Sequence, residues 1–115
     1  MKKYRLLLAT AVYLGLSTSA FGNSCTGTIS YLGLDSSGQV FVALNKSTAI
    51  HSICTMEAKG GYNMFPSACK ATYATLLAAR SMERPVVLYY SGNAYTCETI
   101  PAWSNRLEFY FIEQS

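Results

Sequence analysis

Side chains suited to catalysis are scarce in this chain. Its 115 residues include a single histidine, His51, and a single aspartate, Asp35. His51 falls in a strand-like segment beside Ala49 and Ile53, which favours a packing or surface role, and Asp35 precedes a turn where aspartate commonly makes local hydrogen bonds. The glutamates are scattered, and no glycine-rich phosphate loop is present. Catalysis needs a nucleophile with a base, a carboxylate pair or a metal cage, so we predict a protein that is not an enzyme and holds no metal or cofactor.

Long apolar runs are missing after the N-terminus. The basic residues within 2–5, the apolar run 6–16 and the mostly small residues 17–22 have the layout of a secretory signal peptide. The apolar run is shorter than the ~20 residues that a stable membrane span requires. We therefore expect residues 1–22 to be a signal peptide, cleaved at the end of this segment or after Ala20, and the product to be secreted or periplasmic without a stable membrane anchor. An uncleaved N-terminal anchor is the alternative.

A large charge of either sign is also absent. Nine basic and six acidic side chains give a formal net charge of +3, and Lys2, Lys3 and Arg5 account for all of this excess. Residues 23–115 are then neutral, and a neutral surface has no general attraction for phosphate backbones or anionic lipids. We expect no nucleic-acid partner. The segment has no repeat or low-complexity tract and is short enough for one domain.

The four cysteines include no closely spaced pair of the kind that binds zinc. All four, Cys25, Cys54, Cys69 and Cys97, lie after the signal peptide. An even number of cysteines in a short exported chain predicts two disulfides. At ~2–4 kcal/mol each, two such bonds would supply a large share of the stability of a small domain.

The order of apolar patterns predicts a mainly β fold. Segments 26–34, 39–44, 49–57, 85–91 and 106–113 resemble strands, and residues 66–82 resemble a helix with an apolar stripe of Cys69, Tyr73, Leu76 and Leu77. The order β-β-β-α-β-β predicts an OB-fold, a five-stranded Greek-key barrel with the helix between strands three and four. An open antiparallel sheet packed on one helix is the alternative.

The OB-fold arrangement also selects a disulfide pairing from the three that are possible. In such a barrel the first strand pairs antiparallel with the fourth. Cys25, just before strand one, would then lie near Cys97, after strand four. Cys54, late in strand three, would lie near Cys69, early in the helix. We therefore expect the disulfides Cys25–Cys97 and Cys54–Cys69.

Tyrosine is the most frequent aromatic residue after the signal peptide. Its ring gives a wide contact area with one polar tip, which suits sugars, because their C–H faces stack on rings while their hydroxyls form hydrogen bonds. Most of the tyrosines would serve equally well as ordinary strand or core residues. Tyr89, Tyr90 and Tyr95 differ, because they span the end of strand four and the following loop, where ligand-binding residues are often carried. We predict that these three contact a glycan.

Three segments resemble a known family. Residues 52–56 (SICTM), 71–77 (ATYATLL) and 85–90 (PVVLYY) are similar to B subunits of AB5 toxins, most closely the subtilase-cytotoxin and pertussis-like group. The resemblance covers residues 26–91. It implies an OB-fold protomer in a homopentameric ring, with the helix lining a pore. It further implies that the ring binds cell-surface glycans and carries an enzymatic A subunit.

The resemblance also implies a position for the sugar site. The family uses a hydroxyl residue at the start of strand one and a tyrosine at the end of strand four, and Thr26 and Tyr90 occupy those places here. Ser24 is a nearby substitute for Thr26, and Ser30 is a further candidate. The sequence thus predicts a secreted glycan-binding module, with a toxin B subunit as the particular form. The alternative is a monomeric periplasmic or secreted OB-fold protein with a structural or enzyme-inhibiting role.

Overall fold

The computed structural model describes residues 22–115, and the predicted signal peptide, apart from Gly22, lies outside them. The elements are β1 (Asn23–Gly27), β2 (Ile29–Leu34), β3 (Gln39–Leu44), β4 (His51–Thr55), α1 (Pro66–Ser81), β5 (Val86–Tyr90), a 3-10 turn (Cys97–Thr99), β6 (Ser104–Asn105) and β7 (Phe109–Gln114). The fold is mainly β, as predicted. Within the described residues, no helix has the length and apolar character to cross a membrane.

The strands form two sheets. One has the order β1-β5-β7 and the other the order β2-β3-β4-β6. Neighbouring strands are antiparallel, except for β4 and β6, which are parallel. Only Thr28 separates β1 from β2, so the predicted first strand is present as two pieces in different sheets. The last predicted strand, residues 106–113, corresponds to β7, and the short strand β6 lies just before it, outside the predicted strands. The ladders remain two sheets and do not close into a single five-stranded barrel.

The hairpin between β2 and β3 is fixed by its sequence. Asp35 Oδ1 accepts hydrogen bonds from the Ser37 backbone N–H at 3.0 Å, the Ser37 hydroxyl at 2.8 Å and the Gln39 N–H at 2.9 Å. These bonds, that from the Ser37 hydroxyl foremost, lower the pKa of the Asp35 carboxyl. Gly38 follows with a φ of +88°, which glycine adopts without the steric cost of a side chain. The predicted role of Asp35 in local turn bonding is therefore confirmed.

The core lies between the inward faces of the sheets and the helix. Strands β3 and β5 supply much of this core. Every second residue of β5 is buried, as strand alternation requires, and so are most residues of β3. All five residues of β4 are buried. The fully buried apolar side chains include Val40, Val42, Leu44, Ile53, Leu76, Val86, Leu88 and Phe109.

The helix α1 packs through a narrow stripe. Pro66 starts it, since a proline in the first turn loses no helical hydrogen bond. Its buried residues are Cys69, Thr72, Leu76 and Ala79. The predicted stripe was therefore partly wrong: Leu77 is exposed and Tyr73 is only half-buried. The smaller residues Thr72 and Ala79 face the core in the places predicted for Tyr73 and Leu77.

Two disulfides connect elements that are distant in sequence. The long-loop disulfide, Cys25–Cys97, joins β1 to the 3-10 turn across 72 residues. The short-loop disulfide, Cys54–Cys69, joins β4 to the first turn of α1 across 15 residues. These are the pairs that the predicted strand order selected, and no cysteine among the described residues is free.

Candidate ligand-binding face

The outward side of the β1-β5-β7 sheet carries a row of polar and aromatic side chains. Cys25 of β1 is buried, so Ser24 on one side of it points outward by strand alternation. The register places Ser24 opposite Tyr89 of β5, and Tyr89 opposite Phe111 of β7. The sheet therefore aligns a hydroxyl and two rings in one line across three strands. Thr26 lies on the same side of β1, one pleat further along and opposite Val87.

An irregularity in β7 adds a third ring. The register shifts where Tyr90 pairs with Phe109 and Tyr89 pairs with Phe111, which leaves Tyr110 as an extra residue. The ring centroid of Tyr89 lies 5.3 Å from that of Phe111 and 6.4 Å from that of Tyr110. Phe111 is 49% exposed and Tyr110 is nearly equally so. We call Tyr89, Tyr110 and Phe111 the outer aromatic face.

Polar groups surround these rings. The Tyr89 hydroxyl donates a 2.6 Å hydrogen bond to Glu113 Oε1, and this bond raises the pKa of Tyr89. A hollow of about 250 Å³ beside the rings is lined by Gly22, Asn23, Ser24, Tyr89 and Tyr110. It is open to solvent on the sheet surface. The arrangement offers ring surfaces for apolar contact and a serine and an asparagine for hydrogen bonding.

Several predicted site residues meet at or beside this face. Thr26 and Tyr89 both lie on the outward side of the β1-β5-β7 sheet. Tyr95 adjoins it, because Asn23 Nδ2 donates a 3.0 Å hydrogen bond to the Tyr95 carbonyl oxygen. The guanidinium of Arg106 lies 4.6 Å from the centroid of the Tyr95 ring and covers one side of it. Ser30 is elsewhere: it lies on β2 in the other sheet, and its hydroxyl donates to the Ala43 carbonyl oxygen at 3.2 Å.

Tyr90 lies in the interior, which corrects its prediction as a residue that contacts a glycan. Its side chain is 3% exposed, because it shares the inward side of β5 with Val86 and Leu88. Its hydroxyl lies 2.6 Å from His51 Nε2. The alternation of β5 therefore separates two adjacent tyrosines: Tyr89 faces solvent, and Tyr90 belongs to the core.

His51 is the fully buried partner of Tyr90. Its Nδ1 lies 2.8 Å from the Ala49 carbonyl oxygen, and since a carbonyl only accepts, Nδ1 carries the hydrogen. The ring is neutral, so Nε2 accepts the hydrogen bond from the Tyr90 hydroxyl. Burial lowers the pKa of His51 to about 4, and the positive charge of Arg106 acts in the same direction. Burial likewise raises the pKa of Tyr90. The pair is a packed polar contact, in keeping with the packing role considered for His51.

Sequence reasoning missed two of the three rings. The alternation in residues 106–113 placed Leu107, Phe109 and Phe111 on one side. In the structure, Phe109 is buried but Phe111 is exposed, because the extra residue at Tyr110 reverses the alternation. Leu107 is exposed too, and it lies in the turn before β7. A bulge depends on pairing with a distant strand, so the pattern of residues 106–113 alone does not predict it.

The described residues contain no group of three or more histidine, cysteine, aspartate or glutamate side chains that could hold a metal ion. The candidate face thus consists of rings, hydroxyls, an amide and one engaged carboxylate. Comparison of the chain with protein-family models, with curated proteins and with solved structures found no match.

Proposed function

We propose that the protein is a secreted glycan-binding module whose ligand lies on the outer aromatic face. The observation that carries this proposal is the alignment of Ser24, Tyr89 and Phe111 across three strands, with Tyr110 and the hollow beside them. A sugar presents C–H groups on its ring faces and hydroxyls at its edges, and the face offers rings beside polar groups. We propose binding rather than catalysis, because both nitrogens of His51 are engaged within the core.

The finer fold that we propose is the OB-fold. Two features of the pairing support it: β1 pairs with β5, and the last part of the chain runs from β6 beside β4 to β7 beside β5. If β1–β2 and β6–β7 are each taken as one bent strand, this is the strand order of an OB barrel. The two disulfides suit an oxidising compartment outside the cytoplasm, which supports secretion.

The particular form that we propose is a cell-binding B subunit of an AB5-type toxin, assembled as a homopentamer with an enzymatic A subunit. The support is the resemblance of residues 52–56, 71–77 and 85–90 to such subunits. A shallow sugar site binds weakly, and a ring of five identical sites would raise avidity by ~10²–10⁴. The alternative is a monomer with a structural or enzyme-inhibiting role.

A glycan array probed with the oxidised protein lacking residues 1–22 tests the site. We expect the glycans held at the outer aromatic face to be lost with Tyr89→Ala, because this change removes the central ring of the face. Tyr89→Phe keeps the ring and should retain most of the binding. Phe65→Ala is the matched control, since Phe65 is an exposed aromatic residue outside the face. A pattern of bound glycans that Tyr89→Ala leaves entirely unchanged would contradict the proposal.

Light scattering after gel filtration tests the assembly separately. A particle of five chains would support the toxin-type ring. A monomer that still binds glycans would leave the site proposal intact and remove the ring. A monomer without array binding would favour the structural or inhibitory alternative.

A further inference from the structure

A second group of aromatic side chains lies on the outward side of the other sheet. It consists of Tyr31 on β2, Phe41 on β3 and Trp103 just before β6, and we call it the Trp103 cluster. The ring centroid of Trp103 is 6.0 Å from that of Tyr31, edge to face, and 5.6 Å from that of Phe41. Trp103 is 59% exposed and Tyr31 is 37% exposed. The largest side chain of the protein therefore stands at the surface within a group of rings.

The backbone holds Trp103 in place. Its φ of 64° is in the left-handed region, which bulky residues rarely adopt, and such outliers concentrate at functional sites. The Trp103 N–H donates a 2.6 Å hydrogen bond to the Ile50 carbonyl oxygen, and the next residue, Ser104, pairs with His51 of β4. The backbone of Trp103 and Ser104 is thus held by pairing with the adjacent residues Ile50 and His51.

Gly33 lies against the Tyr31 ring of the Trp103 cluster. It pairs with Phe41 in the β2–β3 ladder. A Cβ atom on Gly33 would lie 3.0 Å from the Tyr31 ring, so that ring rests against bare backbone. Because Gly33 has no side chain, the Tyr31 ring can lie close against the sheet, beside Trp103.

The size of the cluster limits its occupant. When aromatic side-chain areas of ~150–250 Å² are scaled by the exposed fractions, the cluster presents roughly 250 Å². A stable protein–protein interface buries ~800 Å² on each partner. The cluster is therefore too small to support a dimer by itself, whereas a ligand of one or two sugar rings matches its extent.

Charge excludes an anionic polymer as the preferred occupant. The +3 of the whole chain comes from three basic residues before residue 22, so the described part carries no formal net charge. The cation–π contacts found among the described residues are Lys59 with Phe65 and Arg106 with Tyr95, and neither involves the cluster. Stacking of nucleic-acid bases normally depends on basic groups that track the phosphates.

We propose that the Trp103 cluster is a second saccharide site, independent of the outer aromatic face, that takes a neutral sugar. The C–H side of the sugar stacks on the indole. The indole N–H and the Tyr31 hydroxyl, which make no hydrogen bond within the described residues, are available to the sugar hydroxyls. This site lies on the other sheet and does not depend on the function proposed for Tyr89.

Tryptophan emission provides a direct test, because Trp103 is the single tryptophan of the chain. The oxidised protein is titrated with cellotetraose, chitotetraose and lactose, and with oligothymidine as the anionic probe. We expect a saturable change in emission with at least one neutral sugar at millimolar concentration. Tyr31→Ala should weaken this binding by about fivefold, the order expected for the loss of one aromatic contact. Tyr89→Ala, on the other sheet, should leave it unchanged.

Four outcomes would overturn the proposal. The first is no saturable emission change with any neutral sugar, and the second is a response to oligothymidine alone. The third is an emission shift that depends on protein concentration in the absence of sugar. The fourth is a sugar response that Tyr89→Ala abolishes while Tyr31→Ala does not. Circular dichroism checks the folding of each variant. If Tyr31→Ala does not fold, Tyr31→Leu removes the ring while keeping apolar bulk, and the same loss of affinity is expected.

Discussion

Acid should destabilise the protein through His51. The perturbation is a fall in pH from 7 to 4, in a fold where this buried ring donates to Ala49 and accepts from Tyr90. The unfolded chain takes up a proton near the ordinary pKa of 6.5, but the folded protein resists protonation until about 4. Between these two values the unfolded state binds more protons than the folded state. The free energy of unfolding therefore falls as the pH falls through this window.

The magnitude follows from the difference between the two pKa values. A difference from 6.5 to about 4 corresponds to about 3 kcal/mol, at ~1.4 kcal/mol per pKa unit. The stabilising effect is present in full above pH 6.5, declines progressively below it and is lost at about pH 4. Because small domains have only ~5–15 kcal/mol of stability, a loss of this size is readily measured.

Urea unfolding at a series of pH values, followed by Trp103 emission, measures the effect. The matched variant is His51→Gln, which keeps a polar side chain of similar reach but does not titrate. We expect the native protein to lose stability between pH 6.5 and 4, and His51→Gln to start less stable and change little over this range. An equal acid-induced loss in the two proteins would refute the assignment to His51.

Three further predictions concern stability, each checked by urea unfolding. Tyr90→Phe leaves His51 Nε2 without its donor in the core and should cost about 1–3 kcal/mol, whereas Tyr89→Phe at the surface should change stability by less than about 0.5 kcal/mol; equal effects would contradict the burial assignment. Gly38→Ala should cost about 1–2 kcal/mol, because its φ is +88° and the new Cβ would lie 2.6 Å from the Glu57 side chain. Gly60→Ala, with a φ of +56° and no atom within 4 Å, should cost less. Replacing both cysteines of the long-loop disulfide by serine should cost about 4 kcal/mol against about 3 for the short-loop disulfide, because the loops close 72 and 15 residues; the reverse order would contradict the loop-entropy account.

The element order and the cysteine pairing were predictable because they depend on local patterns. Apolar residues at every second position indicated β3 and β5, and a change to helical spacing indicated α1. Once strand one was placed beside strand four, Cys25 had one near partner, Cys97, and the structure has this pair. The Asp35 turn was equally local, since its bonds reach only to residues 37–39.

The missing parts depend on contacts between distant segments. The exposure of Phe111 follows from a bulge opposite β5, and the place of Trp103 follows from the parallel pairing of β6 with β4. Neither appears in the sequence of its own segment. Tyr90 is a different case, because the alternation of β5 already grouped it with Val86 and Leu88, whereas its position at the end of strand four and the family resemblance placed it in the sugar site. Where the two lines of reasoning disagreed, the alternation agreed with the structure.

The attachment of α1 has a consequence for how freely the sequence can vary. Only four of its sixteen side chains are buried, and one of these is Cys69, which is covalently bound to β4. A helix held by a covalent bond in its first turn needs less packing to stay in place. Most exposed positions on α1 can therefore be exchanged for other helix-forming residues at costs within about 0.5 kcal/mol each. The outer side of this helix is the region where the protein can acquire a new surface while its fold stays the same.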